Sequence, residues 1–361
     1  MQKIYQSVSP IEKLLGANFD EILHYTKLTA NNNETIGNYK DIFKECMEIS
    51  NRSHDDTAPY SAISVVDDPN RIFALRVADK TYAFSKRGLE ALCVACGISF
   101  TYIKRCVMAD KGWLAAENLN EWIAEKSNAS TNRAFIRVTD DQVHGFLTTK
   151  YSAFDSHLVL SELMPILSPL NEYDVVGKIL TPDIMKLRLV SRNSFDLNGD
   201  KLSYGFDIAN SGVGLSSLKV TFLIYRFICG NGMLMGGDKG TYYMQRHIGI
   251  NQATFGEEFK SFMRDIPALT ADIKDQISKS MQKTIGKGDV QNFIDQFKVK
   301  KISSAVDERL ESECAAALAG NNIQTVWDFT NIITQMAQDF SYLTREKMEK
   351  AAGEILVRGV R

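Results

Sequence analysis

The residues with the most chemical promise stand close together. Tyr242-Tyr243-Met-Gln-Arg246-His247 interleaves aromatic rings with bases, the mixture that stacks nucleobases and neutralises phosphates. Just upstream, Gly236-Gly-Asp-Lys239-Gly is a glycine-rich turn that carries a lysine. It lacks the G-x-x-x-x-G-K-[ST] spacing of a P-loop, so Lys239 is either a phosphate contact or part of a flexible turn. Arg226 interrupts a strand whose alternate positions Val220, Phe222, Ile224 and Ile228 are apolar. A cation in such a row needs a partner, which is an internal carboxylate or a bound anion. Lys279, Lys283 and Lys287 recur every four residues and are expected to share one helix face. That face is a solvated surface or a stripe that follows phosphates.

Two other chemistries are weaker. Cys93-Val-Ala-Cys96 has metal or redox spacing, but no second closely spaced pair completes a zinc site. Beside Leu89 and Leu92 on a helix, both thiols read as small core residues. His54-Asp55-Asp56 and Asp155-Ser156-His157 set carboxylates beside imidazoles, as a metal-dependent nuclease would. Neither lies near a nucleophile motif, and Asp155 also suits the start of a helix. No catalytic residue, metal ligand or cofactor motif is assigned.

The 361 residues carry 42 Lys and Arg against 44 Asp and Glu, a net charge of −2, which excludes a chain-wide basic field. With 44% apolar and 10% aromatic residues the chain can bury a core, which excludes disorder as its main state. No apolar run reaches the ~20 residues of a membrane span, and Met1–Pro10 has no signal-peptide pattern. Six irregularly spaced cysteines do not make a disulfide framework, so a reducing cytoplasm is expected.

The elements that must position these residues read as α+β: a central antiparallel sheet flanked by helices, with a helical arm before it and a helical region after it. Residues 1–57 form the arm, with Asn51–Pro59 as a polar linker. Residues 58–150 form an α/β segment of strands around Ile63–Phe84, helices from Ser85 to Ala124 and a hairpin through Asp140-Asp141. Residues 151–252 hold the sheet, with strands at Tyr173–Ile179, Ile184–Arg192, Leu202–Asn210 and Leu218–Cys229. Their connections are too short for parallel returns. Gly230–Gly249 reads as a long loop, and residues 253–361 as helices.

Several motifs carry a resemblance. Arg226-Phe-Ile-Cys-Gly-Asn-Gly-Met233 with Arg246-His247-Ile-Gly249 resembles the R-x-x-C-x-N-x-[ML]…R-H-x-G signature of a phage- and plasmid-borne family of unknown function. Phe84–Cys93 with Gly97–Tyr102, Arg133–Arg137 with Lys150–Asp155, and Thr325–Asn331 are similar to further blocks of that family. Ser99 and Gly230 depart from its usual Pro and Ser. The resemblance implies a setting in mobile genetic elements and no particular reaction. The order of helix, antiparallel strands and long helix is also similar to phage single-strand annealing proteins, which implies a basic groove and assembly into rings or filaments. The function expected is therefore single-stranded DNA (or RNA) binding by a homo-oligomer in recombination or replication. Arg226, Lys239, Tyr242, Tyr243, Arg246, His247, Lys279, Lys283 and Lys287 are its candidate contacts. An interaction protein directed at host defence or transcription, and the nuclease, are the alternatives.

Overall fold

Amphipathic patterning sends this chain into two sheets rather than one. The computed structural model describes residues 39–68, 71–128, 132–167, 173–227, 230–235, 242–249 and 252–360. Helix α1 (Tyr39–Asn51) buries Ile42 and Cys46 in the main core. The first sheet has the order β1-β5-β6-β4-β3-β2, built from β1 (Ser53–Pro59), β2 (Ile63–Asp68), β3 (Arg71–Val77), β4 (Lys80–Phe84), β5 (Arg133–Thr139) and β6 (Gln142–Thr148). Asp140 and Asp141 both have positive φ, 50° and 60°, so they close the β5–β6 hairpin with the twist such a turn needs. Strands β4 and β6 are parallel, since the chain between them returns through α2 (Lys86–Cys96), α3 (Phe100–Met108), α4 (Gly112–Ser127) and β5. Ser85 caps α2 by accepting from the Gly88 N–H at 3.0 Å. Cys93 and Cys96 are buried with Leu89, Leu92 and Ile136, and burial pushes their thiols up to about 12 and about 11. They are core residues.

After α5 (Ser156–Leu167), the second sheet runs β11-β10-β9-β8-β7, all antiparallel: β7 (Tyr173–Leu180), β8 (Met185–Leu197), β9 (Asp200–Asn210), β10 (Leu218–Arg226) and β11 (Asn231–Leu234). A short β12 (Tyr242–Gln245) pairs with the first half of β10, and β11 with its second half. Asn198-Gly199, both at positive φ, make the tight β8–β9 turn. One face of this sheet, including Leu187, Leu189, Phe206, Ile208, Val220 and Phe222, shares its core with α5, α6 (Gln252–Gln282), α7 (Lys287–Lys298), α8 (Ser304–Ala319) and α9 (Val326–Met336). The opposite face carries Lys186, Arg188, Asp207, Leu223 and Tyr225 and meets α10 (Tyr342–Gly359).

The α+β architecture with flanking helices is as expected, but four local readings are corrected. There are two sheets where one central sheet was expected. Residues 53–59 are not a linker, because their backbone pairs with all of β5. The boundary at residue 57 falls inside β1; residues 1–38 of the expected arm lie outside the described residues. The 230–249 loop contains two strands, which the backbone of β10 recruits. Lys279, Lys283 and Lys287 do not share a helix: α6 ends at Gln282, and Thr284 bridges Thr325 before Gly286 starts α7. Among the described residues no helix is long and apolar enough to cross a membrane.

Candidate nucleic-acid interface

The expected contacts do not converge. Arg226 ends β10 and donates to Asp200 Oδ1 from Nε at 2.8 Å and Nη2 at 2.6 Å. The other carboxylate oxygen accepts from the Trp327 indole N–H at 2.8 Å. The partner in the apolar row is therefore an internal carboxylate, itself anchored to α9. Tyr243 is half-buried, its ring 5.7 Å from Phe255 and 6.4 Å from Phe259, and its hydroxyl lies 2.8 Å from Glu258 Oε2. Burial, with the neighbouring carboxylate, raises its pKa. Its ring packs on Phe255 and Phe259 at the border of the main core, so much of its surface is taken up there rather than offered to a base. His247 is 5% exposed, stacked on Tyr151 at 5.3 Å, with Nδ1 3.3 Å from the Ser152 carbonyl. Burial lowers its pKa, so the neutral ring belongs to the packing between β12 and the 151–155 segment.

Arg246, next to it, is exposed. Tyr242 lies on β12 opposite Thr221. Lys239 lies outside the described residues. Lys279 is exposed and paired with Asp275 at 2.6 Å, while Lys283 and Lys287 are exposed around the α6–α7 break. The 31 residues of α6 put about 45 Å of helix between Arg246 and these lysines. No single strand-binding patch holds both groups.

The carboxylates once considered for metal serve another cation. Arg137 on β5, with 7% of its side chain exposed, meets Asp155 at 2.5 Å and Asp55 at 3.7 Å. Asp155 also accepts from Ser50 Oγ at 2.6 Å. Burial raises the pKa of Asp55, though Arg137 opposes it. Nearby His144 and Asp183 pair at 2.6 Å between β6 and the β7–β8 turn. These contacts tie the first sheet to the second, and among the described residues no group of His, Cys, Asp and Glu could hold a metal ion.

An open surface lies where sequence reasoning did not look. On the face of the second sheet that also carries Arg188, a groove of about 180 Å³ is lined by Val176, Val190, Arg192, Lys201, Tyr225 and Phe227. Lys201 Nζ stands 5.5 Å from the centre of the Phe227 ring, and Phe227 meets Tyr225 edge-on at 5.4 Å. Arg192 Nε and Nη2 reach Asp174 Oδ1 at 3.1 and 3.0 Å, yet 54% of the Arg192 side chain is exposed. The signal was the spacing of Tyr225 and Phe227 by two, which puts both on one sheet face. The positions of Arg192 and Lys201 beside them depend on the β8–β9–β10 register.

Residues 188–353 match the model of an uncharacterised family, described as Domain of unknown function (DUF932). The matched stretch opens at Arg188 on β8 and closes within α10, so it covers most of the second sheet and its helices. Comparison with curated proteins and with solved structures returns no match.

Proposed function

We propose that this protein binds single-stranded nucleic acid along the open end of its second sheet. The observation that carries the reading is Phe227, a half-buried ring on a sheet face, flanked by the solvent-facing cations of Lys201 and Arg192. A ring fixed on a sheet stacks on any base, and cations beside it neutralise the flanking phosphates, which gives sequence-tolerant binding. Asp174, by holding Arg192, sets the reach of that guanidinium. Arg246 is a secondary phosphate contact, about 33 Å away along β10, because Gln245 pairs with Leu218 and Arg246 lies level with residue 217, ten residues before Phe227.

So small a groove binds weakly alone, and repetition along a strand multiplies its affinity. Strand β7 ends the second sheet beside the groove, and its outer edge suits pairing with a second copy, so the reading includes a homo-oligomer. The signature resemblance at Arg226–Met233 and Arg246–Gly249 supports a phage or plasmid setting in a bacterial cytoplasm, with strand annealing as one use of such binding.

The test is titration of the intact protein into labelled oligothymidylate and into duplex DNA at low salt. Saturable binding that favours the single strand supports the proposal. Absence of binding to either, or equal binding to both, overturns it.

A further inference from the structure

A second cavity, of about 530 Å³, lies where α2 faces the start of α10, and it draws its walls from both sheets' surroundings. That volume is in the range that encloses a small organic ligand. Its apolar wall includes Ile179 and Ile184, and its rim includes Leu215 and Leu343, which are 45% and 58% exposed. Large apolar side chains kept in solvent around a concave site mark a place where something apolar binds. The Tyr342 ring, 5% exposed, is fixed there by its hydroxyl at 3.0 Å from Asp207 and by Lys186 at 4.5 Å over its face.

The polar wall carries a small cationic surplus. Lys86, Arg87, Lys186 and Lys347 line it, against Glu90, Glu346 and Asp183. Asp183 is engaged by His144 at 2.6 Å, Glu346 pairs with Lys186, and Glu90 lies 3.7 Å from Lys86. Arg87 keeps the larger surplus: its Nη2 reaches the Val213 carbonyl at a long 3.4 Å, and its buried Nε has no hydrogen-bond partner. That Nε is closed off, so the guanidinium's outer N–H groups, held only by the long bond to Val213, are the donors a bound anion in the cavity would take.

The helices add to this field. Lys86 and Arg87 are the first two residues of α2, and Tyr342 and Leu343 the first two of α10. Neither helix has an acid in its first turn, and the Ser341 cap makes no side-chain bond to the α10 backbone. Two positive helix ends, one with two cations in its first turn, favour an anion placed between them.

We infer that this cavity binds a small organic phosphate, its phosphate held by Arg87 and the first turns of α2 and α10, its apolar body against Leu215, Tyr342 and Leu343. The site is separate from the Phe227 groove and does not depend on the nucleic-acid reading. Both the family-matched region and α2, which precedes it, are needed to build it.

Calorimetry on the intact protein with phenyl phosphate tests it. Saturable binding with a Kd of about 1 mM or tighter is expected, and inorganic phosphate, lacking the apolar body, should bind at least about tenfold more weakly. Arg87→Gln and Leu343→Asp should each weaken phenyl phosphate about tenfold while far-ultraviolet circular dichroism stays unchanged. No heat with phenyl phosphate overturns the inference, as does equal affinity for inorganic phosphate. If either variant loses its fold, Lys347→Glu at an exposed wall position replaces it. Unaltered affinity in every folded variant also refutes the site.

Discussion

Arg188 and Glu349 form a two-bonded pair, Nη1 to Oε1 at 2.8 Å and Nη2 to Oε2 at 2.6 Å, across 161 residues of sequence. Both are almost wholly buried, and Asp207 and Arg345 complete the balance by bonding Arg188 and Glu349 in turn. Burial raises the Glu349 pKa, but the adjacent Arg188 and Arg345 guanidiniums more than offset this and hold it below its ordinary value. This network fastens α10 to the second face of the second sheet, and it lies inside the 188–353 region that matches the family model.

Glu349→Gln removes the carboxylate that bonds both buried guanidiniums and leaves Arg188 with Asp207. A loss of about 3–5 kcal/mol is expected, since removing one partner of a buried pair strands the others. Urea unfolding measures it, and a change below ~1 kcal/mol would show that the network is not a structural fastener.

Arg226→Met removes the guanidinium from Asp200 and leaves that carboxylate with the Trp327 indole. The expected cost is about 2–3 kcal/mol in thermal or chemical unfolding, with single-strand affinity unchanged because the side chain is engaged internally. Trp327→Phe, which deletes one charge-assisted hydrogen bond, should cost about 1.5–3 kcal/mol by itself. Wild-type stability in Arg226→Met, accompanied by weaker nucleic-acid binding, would restore the anion role.

Gly353 gives a prediction whose sign is opposite to helix propensity. A glycine-to-alanine change in a helix normally stabilises by up to about 1 kcal/mol. Here an added Cβ would meet the Leu234 carbonyl oxygen at 2.3 Å, because α10 approaches β11 backbone to backbone. Gly353→Ala should therefore destabilise by about 1–3 kcal/mol, seen as a lower unfolding midpoint. An increased midpoint would mean that α10 can move off the sheet without loss.

What was legible in the sequence was local. Asn198-Gly199 and Asp140-Asp141 announced their hairpins, Ser85 and Gly97 the ends of α2, and the both-sided apolar pattern of Val220–Tyr225 a central strand. What failed depended on partners distant in sequence. Ser53–Pro59 looks like a polar linker because its edge-strand side chains are largely solvated, and the β5 backbone makes it a strand. Lys279, Lys283 and Lys287 keep helical spacing, yet the bridge from Thr284 to Thr325 competes successfully for the backbone after Gln282. At Arg226 the pattern required a partner but could not identify Asp200, 26 residues earlier. The Phe227 groove and the α2–α10 cavity join residues from separate strands and helices, so no contiguous motif encodes either.

The pH dependence should carry the mark of His247. Burial lowers its folded-state pKa below the ordinary 6.5, so between those two values the unfolded chain holds a proton that the native ring does not. Stability is full above about pH 6.5 and falls as the pH drops through this window, by at most about 1.4 kcal/mol per pH unit. Asp55 acts in the opposite sense above its ordinary 3.8, because its raised pKa keeps a proton in the native state and loses stability as the pH rises. His247→Phe should flatten the slope of stability between pH 7 and the lower end of the His247 window. The readout is the slope, so a uniform change in stability does not confuse it; an unaltered slope would assign the acid sensitivity elsewhere.

Salt and substitution together separate the groove from the other basic residues. Each phosphate neutralised on a single strand contributes a log–log slope of about −0.7 in affinity against salt. Lys201→Glu replaces an exposed cation at the groove with an acid, so it should lower affinity sharply and make the slope shallower by about one such unit. Phe227→Leu keeps an apolar side chain but loses the stacking face, and stacking on one base is worth about 1–3 kcal/mol. Its affinity should fall by about tenfold or more with the salt slope retained, because no charge has been removed. Arg246→Ala, about 33 Å from the ring, should flatten the slope slightly with a smaller loss. Lys283→Ala, at the far end of α6, should do neither. Fluorescence anisotropy against oligothymidylate at several salt concentrations measures all four. If Lys283→Ala and Arg246→Ala weaken binding while Lys201→Glu and Phe227→Leu leave it intact, the strand runs along α6 and the groove is not its site.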